Sequence, residues 1–315
     1  MHAPPWAVVV VRHGRLAVEW YGVPALPTTT FDVWSCTKSF TGIGFGMLLD
    51  DAAYGKPVGA AGFSLDSPAC AFLPEGIPLS DPRKKAISIR HLLTMTSGIP
   101  GEDHGMIGIA PGEEGGPFEV ALGLSPDRFG RSAARLFAEP GSAWEYSDNA
   151  FAQLSLVFAA VAGRELRDYL DERLFAPLGI RNYGWDWQGG GGDLGPHTNA
   201  HTGLRLTARD IARVGYLLLH RGRWEGRSLI SEDWLGAATE TSQPLKPSYG
   251  LTFWVNRDRS LWPSLPSEAF GMQGYACNRC YVAPSLDLVI ARLGYGPASW
   301  ADGAFLDPIV SSIID

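Results

Sequence analysis

The pattern of hydrophobic and polar positions divides the chain into two strand-like ends and a helical middle. Residues 7–21 are rich in valine at alternating positions and predict two strands joined by a turn at Arg12-His13-Gly14. Strand-like runs return at residues 250–256, 278–283 and 286–293, and an amphipathic stretch at residues 303–314 predicts a closing helix. The pattern therefore predicts one sheet that is built from both ends of the chain.

Helical spacing dominates the middle of the chain. Apolar residues recur at this spacing over residues 35–51, which places Ser35 at or near the N-terminus of a helix. Further helices are predicted at residues 89–94, 151–162, 166–174 and 208–221. We predict an α/β fold of the α+β kind, with residues 1–60 and 245–315 forming the sheet domain and residues 61–244 a mainly helical insertion.

Composition narrows the class of protein. The 315 residues are 45% hydrophobic, which suffices for a packed core, and the longest apolar run is too short to cross a bilayer. A net charge of −7 without a basic cluster argues against a nucleic-acid partner. The first residues have neither the charged region nor the cleavage site of a signal peptide. The sequence as written is thus expected in the cytoplasm, or outside it if the chain has been trimmed.

Metal binding is not predicted. The cysteines are Cys36, Cys70, Cys277 and Cys280. Four cysteines do not make a disulfide framework at this length, and a single CxxC supplies only half of a zinc site. His197 and His201 have a spacing that could ligate metal on a helix, but the Pro and Gly residues around them predict a loop. His201 is either a structural or surface histidine, the preferred interpretation, or a substrate contact.

Ser35-Cys36-Thr37-Lys38 is the sharpest chemical feature. Positions i and i+3 of a helix share a face, so the Ser35 hydroxyl and the Lys38 amine can come within hydrogen-bond distance. A serine hydroxyl becomes a good nucleophile when a neighbour takes its proton, and a lysine can do so where burial favours its neutral form. The helix N-terminus adds free N–H groups beside a developing oxyanion. Alone, the tetrapeptide is also typical of an ordinary helix start.

Two further segments strengthen the catalytic interpretation of this first box. Tyr146-Ser147-Asp148, the second box, places a tyrosine on a loop just before a predicted helix. Gly271-Met272-Gln273-Gly274-Tyr275, the third box, precedes a predicted strand that could run along a site and offer backbone N–H groups.

In order and spacing, the three boxes resemble those of the serine β-lactamase and penicillin-binding-protein superfamily, above all its class C-like branch of esterases and peptidases. Further segments that resemble family landmarks are residues 91–100, 140–155, 175–180, 206–219 and 249–255. The resemblance implies a mainly antiparallel sheet flanked by helices, an all-helical region, and a site in the cleft between them. It implies no cofactor.

The resemblance also implies roles for individual residues. Ser35 corresponds to the acylated nucleophile, Lys38 to its general base, and Tyr146 to the residue that relays a proton to the leaving group. The backbone N–H groups of Ser35 and Tyr275 correspond to the oxyanion hole, in which each donor is typically worth about 3 kcal/mol.

The sequence departs from the family pattern at two places. The second box has Asp148 where Asn is usual, and a carboxylate near Lys38 would favour the charged lysine. Either Asp148 points away from the lysine, or Tyr146 as a phenolate takes more of the base role, or a hydrogen bond tunes the pair. The third box has Met272, Gln273 and Gly274 where relatives carry a cation, so a contact to a substrate carboxylate of roughly 1.5–3 kcal/mol is lost. Arg279 either supplies that charge from another direction or, as we prefer, pairs with an acid.

Aromatic residues lie close to these boxes. Trp34, Trp144, Trp185 and Trp187 either line an apolar pocket for acyl or leaving group or belong to the core. With the cation absent, the sequence favours a serine hydrolase acting through an acyl-enzyme on small carboxylic esters or amides. The alternatives are a β-lactamase, a D-alanyl-D-alanine carboxypeptidase or a D-aminopeptidase, an amidase of the 6-aminohexanoate-oligomer type, and a non-catalytic penicillin-binding-like module. The partner is a small molecule, and the sequence leaves the oligomeric state open.

Overall fold

The computed structural model describes residues 4–53, 62–106, 116–189, 192–297 and 299–313. The chain forms two compact units. The sheet unit comprises Met1–Phe40, Arg173–Gly184 and Thr202–Asp315, and the helical unit comprises Thr41–Glu172 and Trp185–His201. The predicted domain boundaries at residues 60 and 245 stay a prediction.

Short strands outnumber long ones among the described residues. The strands are β1 (Trp6–Arg12), β2 (Arg15–Gly22), β3 (Phe31–Asp32), β4 (Gly184–Trp185), β5 (Trp187–Gln188), β6 (His197–Thr198), β7 (Leu204–Leu206), β8 (Arg223–Trp224), β9 (Arg227–Ser228), β10 (Trp254–Val255), β11 (Phe270–Gly274), β12 (Asn278–Ala283) and β13 (Leu288–Gly294). The α-helices are α1 (Thr37–Ala53), α2 (Ile89–Leu93), α3 (Pro117–Leu122), α4 (Asp148–Ala162), α5 (Leu166–Leu170), α6 (Ala208–Leu219), α7 (Glu232–Ala238) and α8 (Asp302–Ser311).

The sheet unit is organised around a six-stranded antiparallel sheet in the order β10-β11-β12-β13-β1-β2. Strand β1 lies between β2, its neighbour in sequence, and β13, near the far end of the chain; Val9 is opposite Ala291 on that strand. The predicted α/β class, with a mainly antiparallel sheet that joins both ends of the chain, is confirmed.

Helices cover both faces of this sheet because successive side chains of a strand point to opposite faces. Val8 and Val10 of β1 belong to a buried cluster with Leu306 of α8. Helix α6 packs against β1, β12 and β13 on the other face. The contact is close: a Cβ at Gly215 of α6 would lie 2.6 Å from a methyl of Val289 and 2.8 Å from Cys280 Sγ. The helix can approach the sheet this closely because position 215 has no side chain.

The helical unit is built around α4, which is buried along most of its length. One of its clusters joins Phe118 and Leu122 of α3 to Ala152 and Leu156 of α4. These pairs are spaced one helical turn apart, as expected for helices that bury one stripe against each other.

Several predicted elements differ in extent from the observed ones. The predicted strand at residues 250–256 shrinks to β10, and the predicted helix at residues 166–174 is α5 followed by a wider turn, Asp171–Phe175. The third box does precede the predicted strand at residues 278–283, which is β12, but residues 271–274 also lie on a strand of their own, β11, that was not predicted. Within the described ranges, no helix is both long and apolar enough to cross a membrane.

Candidate active site

Ser35 and Lys38 are brought together at the start of the longest helix that the structure describes. Ser35 is the middle residue of a 3-10 turn, Trp34–Cys36, and α1 begins immediately after it at Thr37. The Lys38 side chain turns back so that its Nζ lies 3.0 Å from Ser35 Oγ, and Lys38 is only 2% exposed. The predicted i, i+3 contact is therefore present, although Ser35 lies on a 3-10 turn rather than on the α-helix.

The turn that carries Ser35 is held in an unusual conformation. Trp34 has a φ of +50°, a left-handed value that costs a residue with a bulky side chain free energy. Its N–H donates to Asp32 Oδ1 at 2.7 Å, and the N–H of Val33 donates to the carbonyl of Leu204 at 2.9 Å. These bonds from β3 and β7 hold the strained residue directly before the serine, which fixes the direction of the Ser35 side chain.

Cys36 follows the serine but faces the core. It is fully buried, its Sγ lies 3.7 Å from the carbonyl of Asn278, and burial raises the pKa of its thiol to about 12. A thiol that stays protonated is a weak nucleophile. Cys36 thus serves as the small buried apolar residue that the sequence predicts.

The third box lies beside the serine turn. A Cβ at Gly274 would collide with the carbonyl oxygen of Val33, so only glycine lets the end of β11 come so close to the residues before Ser35. Tyr275 follows in a second 3-10 turn, Tyr275–Cys277, and its ring meets Trp34 edge-on with centroids 5.3 Å apart. The Tyr275 side chain is 69% exposed, so its backbone, and not a buried phenol, is the part positioned by the fold.

The other third-box residues differ in their burial. Met272 is buried, whereas Gln273 is half-buried and pairs with Arg279 across the strands. Arg279 Nε donates to Asp302 Oδ1 at 3.0 Å, and Arg279 Nη1 donates to the carbonyl of Gly274 at 2.8 Å. The guanidinium is thus engaged by an acid, which is the arrangement we preferred. Asp302 was missed from the sequence because it lies on a distant helix with no motif around it.

Tyr146 belongs to the helical unit and is held through its backbone. Its carbonyl accepts from the N–H of Glu102 at 2.9 Å. The preceding Glu145 is buried, with its carboxylate accepting from the N–H groups of Gly101 at 2.7 Å and His104 at 3.1 Å. Its second oxygen lies 2.7 Å from His104 Nδ1. Sequence reasoning also missed Glu145, which ties the second box to the loop at residues 101–104.

Asp148 is the first residue of α4, which begins three residues earlier than predicted. Ser147 caps the helix by accepting from the N–H of Ala150 at 3.2 Å. The N-terminus of a helix stabilises a negative side chain, so the local structure supplies a reason for an aspartate at this position. Its influence on Lys38 stays a prediction, as does the approach of Tyr146 to Ser35.

The remaining candidates make contacts within their own units, and a role in substrate binding stays a prediction for them. His201 is buried, and its backbone N–H donates to Asn199 Oδ1 at 3.1 Å. His197 Nδ1 lies 2.9 Å from Glu165 Oε1. Trp185 is buried and donates to the carbonyl of Asn199, whereas Trp187 is largely exposed. Among the described residues, no three His, Cys, Asp or Glu side chains are grouped so that they could hold a metal ion.

Comparison with known proteins gives a consistent result. Residues 1–304 match the family model described as Beta-lactamase. Esterase EstB of Burkholderia gladioli is 31% identical over 193 residues, which cover 56% of this chain and 46% of that protein, so the chain spans less than half of this relative. Two solved structures have the same fold. They are EstCE1, a hydrolase with promiscuous acyltransferase activity (TM-score 0.68, 17% identity, 98% and 92% of the two chains covered), and a penicillin binding protein from Bacillus halodurans (TM-score 0.66, 18% identity, 98% and 95% covered).

Proposed function

The chain belongs to the Beta-lactamase family, and from that premise we propose that it is a serine hydrolase that acts through an acyl-enzyme on small carboxylic esters or amides. The family includes hydrolases named as esterases, such as EstB. The observation that carries the proposal is the 3.0 Å distance between Lys38 Nζ and Ser35 Oγ, with the lysine buried.

The first step is proton transfer within this pair. A neutral Lys38 amine accepts the hydroxyl proton while Ser35 Oγ forms a bond to the substrate carbonyl carbon. The carbonyl π electrons move to oxygen, and the resulting oxyanion accepts hydrogen bonds from the N–H groups of Ser35 and Tyr275. The oxyanion electrons then re-form the carbonyl as the bond to the leaving alcohol or amine breaks, and the proton held by Lys38 reaches the leaving group through the Tyr146 hydroxyl. Water then attacks the acyl-enzyme by the same route and releases the acid.

The third box favours substrates without a carboxylate at that position. Met272, Gln273 and Gly274 carry no charge, and Arg279 is engaged by Asp302 and by the carbonyl of Gly274. A β-lactam or a peptide ending in D-alanine would therefore lose a charge-assisted contact of about 1.5–3 kcal/mol, or roughly 10- to 100-fold in binding. Esters are the preferred class because an alcohol leaves with less help from an acid than an amine does.

Covalent labelling tests the proposal. A p-nitrophenyl alkylphosphonate should add to Ser35 in a 1:1 ratio, as mapped by mass spectrometry of peptides, and Ser35→Ala should remove the adduct. Ser39→Ala is the matched control, since Ser39 lies four residues further along, on α1, and its hydroxyl donates to the carbonyl of Thr252 at 2.7 Å. A wild-type chain that takes no adduct at Ser35 and hydrolyses no ester would refute the serine mechanism.

Substrate class is tested separately on the same preparation. We expect kcat/KM for p-nitrophenyl acetate and butyrate to exceed that for the corresponding anilides and for a chromogenic cephalosporin. Faster turnover of the cephalosporin would replace the esterase assignment by a β-lactamase one, while leaving the acyl-enzyme mechanism intact.

A further inference from the structure

Side chains hold every backbone carbonyl of the third-box turn, which we define as residues 274–277. Arg279 Nη1 donates to Gly274 at 2.8 Å, and Asn278 Nδ2 donates to Tyr275 at 2.6 Å. Arg292 Nη1 donates to the next two carbonyls, those of Ala276 at 3.1 Å and Cys277 at 3.4 Å.

The turn needs this support because its backbone is strained. Ala276 and Cys277 have φ values of +58° and +70°, and neither is glycine. Arg292 and Asn278 are both nearly inaccessible to solvent, so their hydrogen bonds are made away from competing water. The fold therefore fixes the peptide planes of this turn one after another.

The first of these planes matters most for catalysis. The carbonyl of Gly274 and the N–H of Tyr275 belong to the same peptide group, which is planar and has the two groups pointing in opposite directions. We propose that Arg279 is a positioning residue: it donates to the Gly274 carbonyl on the side of the peptide group away from the substrate, and thereby orients the Tyr275 N–H toward the substrate oxyanion. This inference rests on the proposed function and gives Arg279 a role other than binding a substrate carboxylate.

Asp302 restricts the motion of the Arg279 side chain that donates to the Gly274 carbonyl. Its Oδ1 accepts from Arg279 Nε at 3.0 Å and from Trp300 Nε1 at 2.9 Å, and the Tyr281 hydroxyl donates to the same oxygen. Arg279 and Asp302 are 13% and 19% exposed, so the pair is largely shielded from solvent. The guanidinium thus has one direction fixed by the acid and presents Nη1 to the carbonyl.

Charge adds to orientation. A guanidinium that donates to a carbonyl polarises the whole peptide group, so the N–H on the other side becomes a stronger donor. This gain is largest when the acceptor carries negative charge, as the oxyanion does and the ground-state carbonyl does not. Arg279 should therefore act mainly on kcat rather than on KM.

Kinetics of Arg279 variants test the inference. For Arg279→Met we expect kcat for p-nitrophenyl acetate to fall about 10- to 100-fold, less than the roughly 100- to 1000-fold typical of losing an oxyanion donor outright, with KM changed less than about 3-fold. Arg279→Lys keeps the charge but loses the planar fork, and should recover part of kcat. Affinity for a boronic acid, which forms a tetrahedral adduct with the serine, should fall in parallel with kcat.

Arg213→Met is the matched control, because it removes an arginine that pairs with an acid, Asp210 on α6, without touching the Gly274 carbonyl or Asp302. We expect its kcat to stay within about 2-fold of wild type at a similar loss of thermal stability to that of Arg279→Lys. Equal losses of kcat in Arg279→Met and in the control variant would overturn the positioning role, as would a change in Arg279→Met that is confined to KM. In either case, labelling of wild-type Ser35 would still stand, so failure here is separable from failure of the serine mechanism.

Discussion

Two lysine–serine pairs, each with a buried lysine and a half-buried serine, have different surroundings. In the sheet unit, Lys38 Nζ lies 3.0 Å from Ser35 Oγ at the start of a 17-residue helix. In the helical unit, Lys84 Nζ donates to Ser80 Oγ at 2.7 Å from a 3-10 helix of five residues, Pro82–Ala86. Both lysines are at most 5% exposed, so burial alone does not distinguish them.

The hydrogen-bond partners of the second pair give it a structural role. Lys84 also donates to the carbonyls of Leu122 at 2.7 Å and Ala133 at 2.8 Å, and the Ser80 hydroxyl gives its own proton to the Leu122 carbonyl. Carbonyl oxygens only accept, so Ser80 has its proton committed to one of them. A serine beside a buried lysine therefore indicates chemistry only where the hydroxyl proton is available to the amine.

The largest expected effect separates the two serines by activity. Ser35→Ala should lower kcat for an ester by about 10⁴-fold or more, because it removes the atom that forms the acyl-enzyme. Ser80→Ala should leave kcat per folded molecule within about 2-fold. Steady-state assays on both purified variants make the comparison, and an equal loss of activity in the two would mean that the pairs do not differ as we infer.

Replacing Lys84 should lower stability and spare activity, whereas replacing Lys38 should abolish activity. Lys84→Met removes the lysine donor from the carbonyls of Ala133 and Leu122, of which Leu122 keeps the Ser80 hydroxyl, and we expect the free energy of unfolding to fall by about 3 kcal/mol. Urea denaturation gives this value. Activity of the folded fraction should persist, whereas Lys38→Met should be inactive at any denaturant concentration at which it is folded.

Stability should also depend on pH through Lys84. Burial lowers the pKa of Lys84 from 10.5 to about 8, with the opposing attraction of Asp81 the smaller influence. Between these two values the unfolded chain binds more protons than the folded one, so stability should rise with pH. From pH 8 to 9.5 the wild type should gain on the order of 1–2 kcal/mol relative to Lys84→Met. A constant difference between the two proteins would show that this lysine is not the titrating group.

The smallest expected effect concerns Asp148, the aspartate of the second box. Asp148→Asn should change kcat less than about 3-fold and cost about 0.5 kcal/mol of stability, because the carboxylate mainly serves the N-terminus of α4. Paired kinetic and thermal measurements test this. An increase in kcat above 10-fold would show instead that the carboxylate opposes catalysis.

The parts of the fold that follow local rules were predictable. Valine alternation predicted β1 and β2, and helical spacing predicted α4 and α6 nearly to their ends. Strand β10 is shorter than its apolar run because the preceding residues form a turn, in which Thr252 has a φ of +72°. Such a conformation is set by tertiary contacts, and a hydrophobic pattern does not record it.

For the site, residue spacing predicted the Ser35–Lys38 contact, and the family resemblance pointed to the Tyr275 backbone. The acidic residues that hold the segments around the site were not predictable. Asp302 is 23 residues away from Arg279 in sequence, and Glu145 binds N–H groups of a loop more than 40 residues earlier. Such pairs arise from the folded arrangement of distant segments, and ordinary charged residues carry no sequence signal for them.

The pairing of β1 with β13 also has a consequence for how the protein is made. About 275 residues separate the two strands, so at roughly 5–20 residues per second β1 waits on the order of 15 to 60 s for its partner to be synthesised. Until then Ser35, Lys38 and Tyr146 exist on a nascent chain whose central sheet cannot close. Activity should therefore appear only after translation has passed Gly294, and a ribosome that stalls earlier should yield an inactive chain with an open sheet edge.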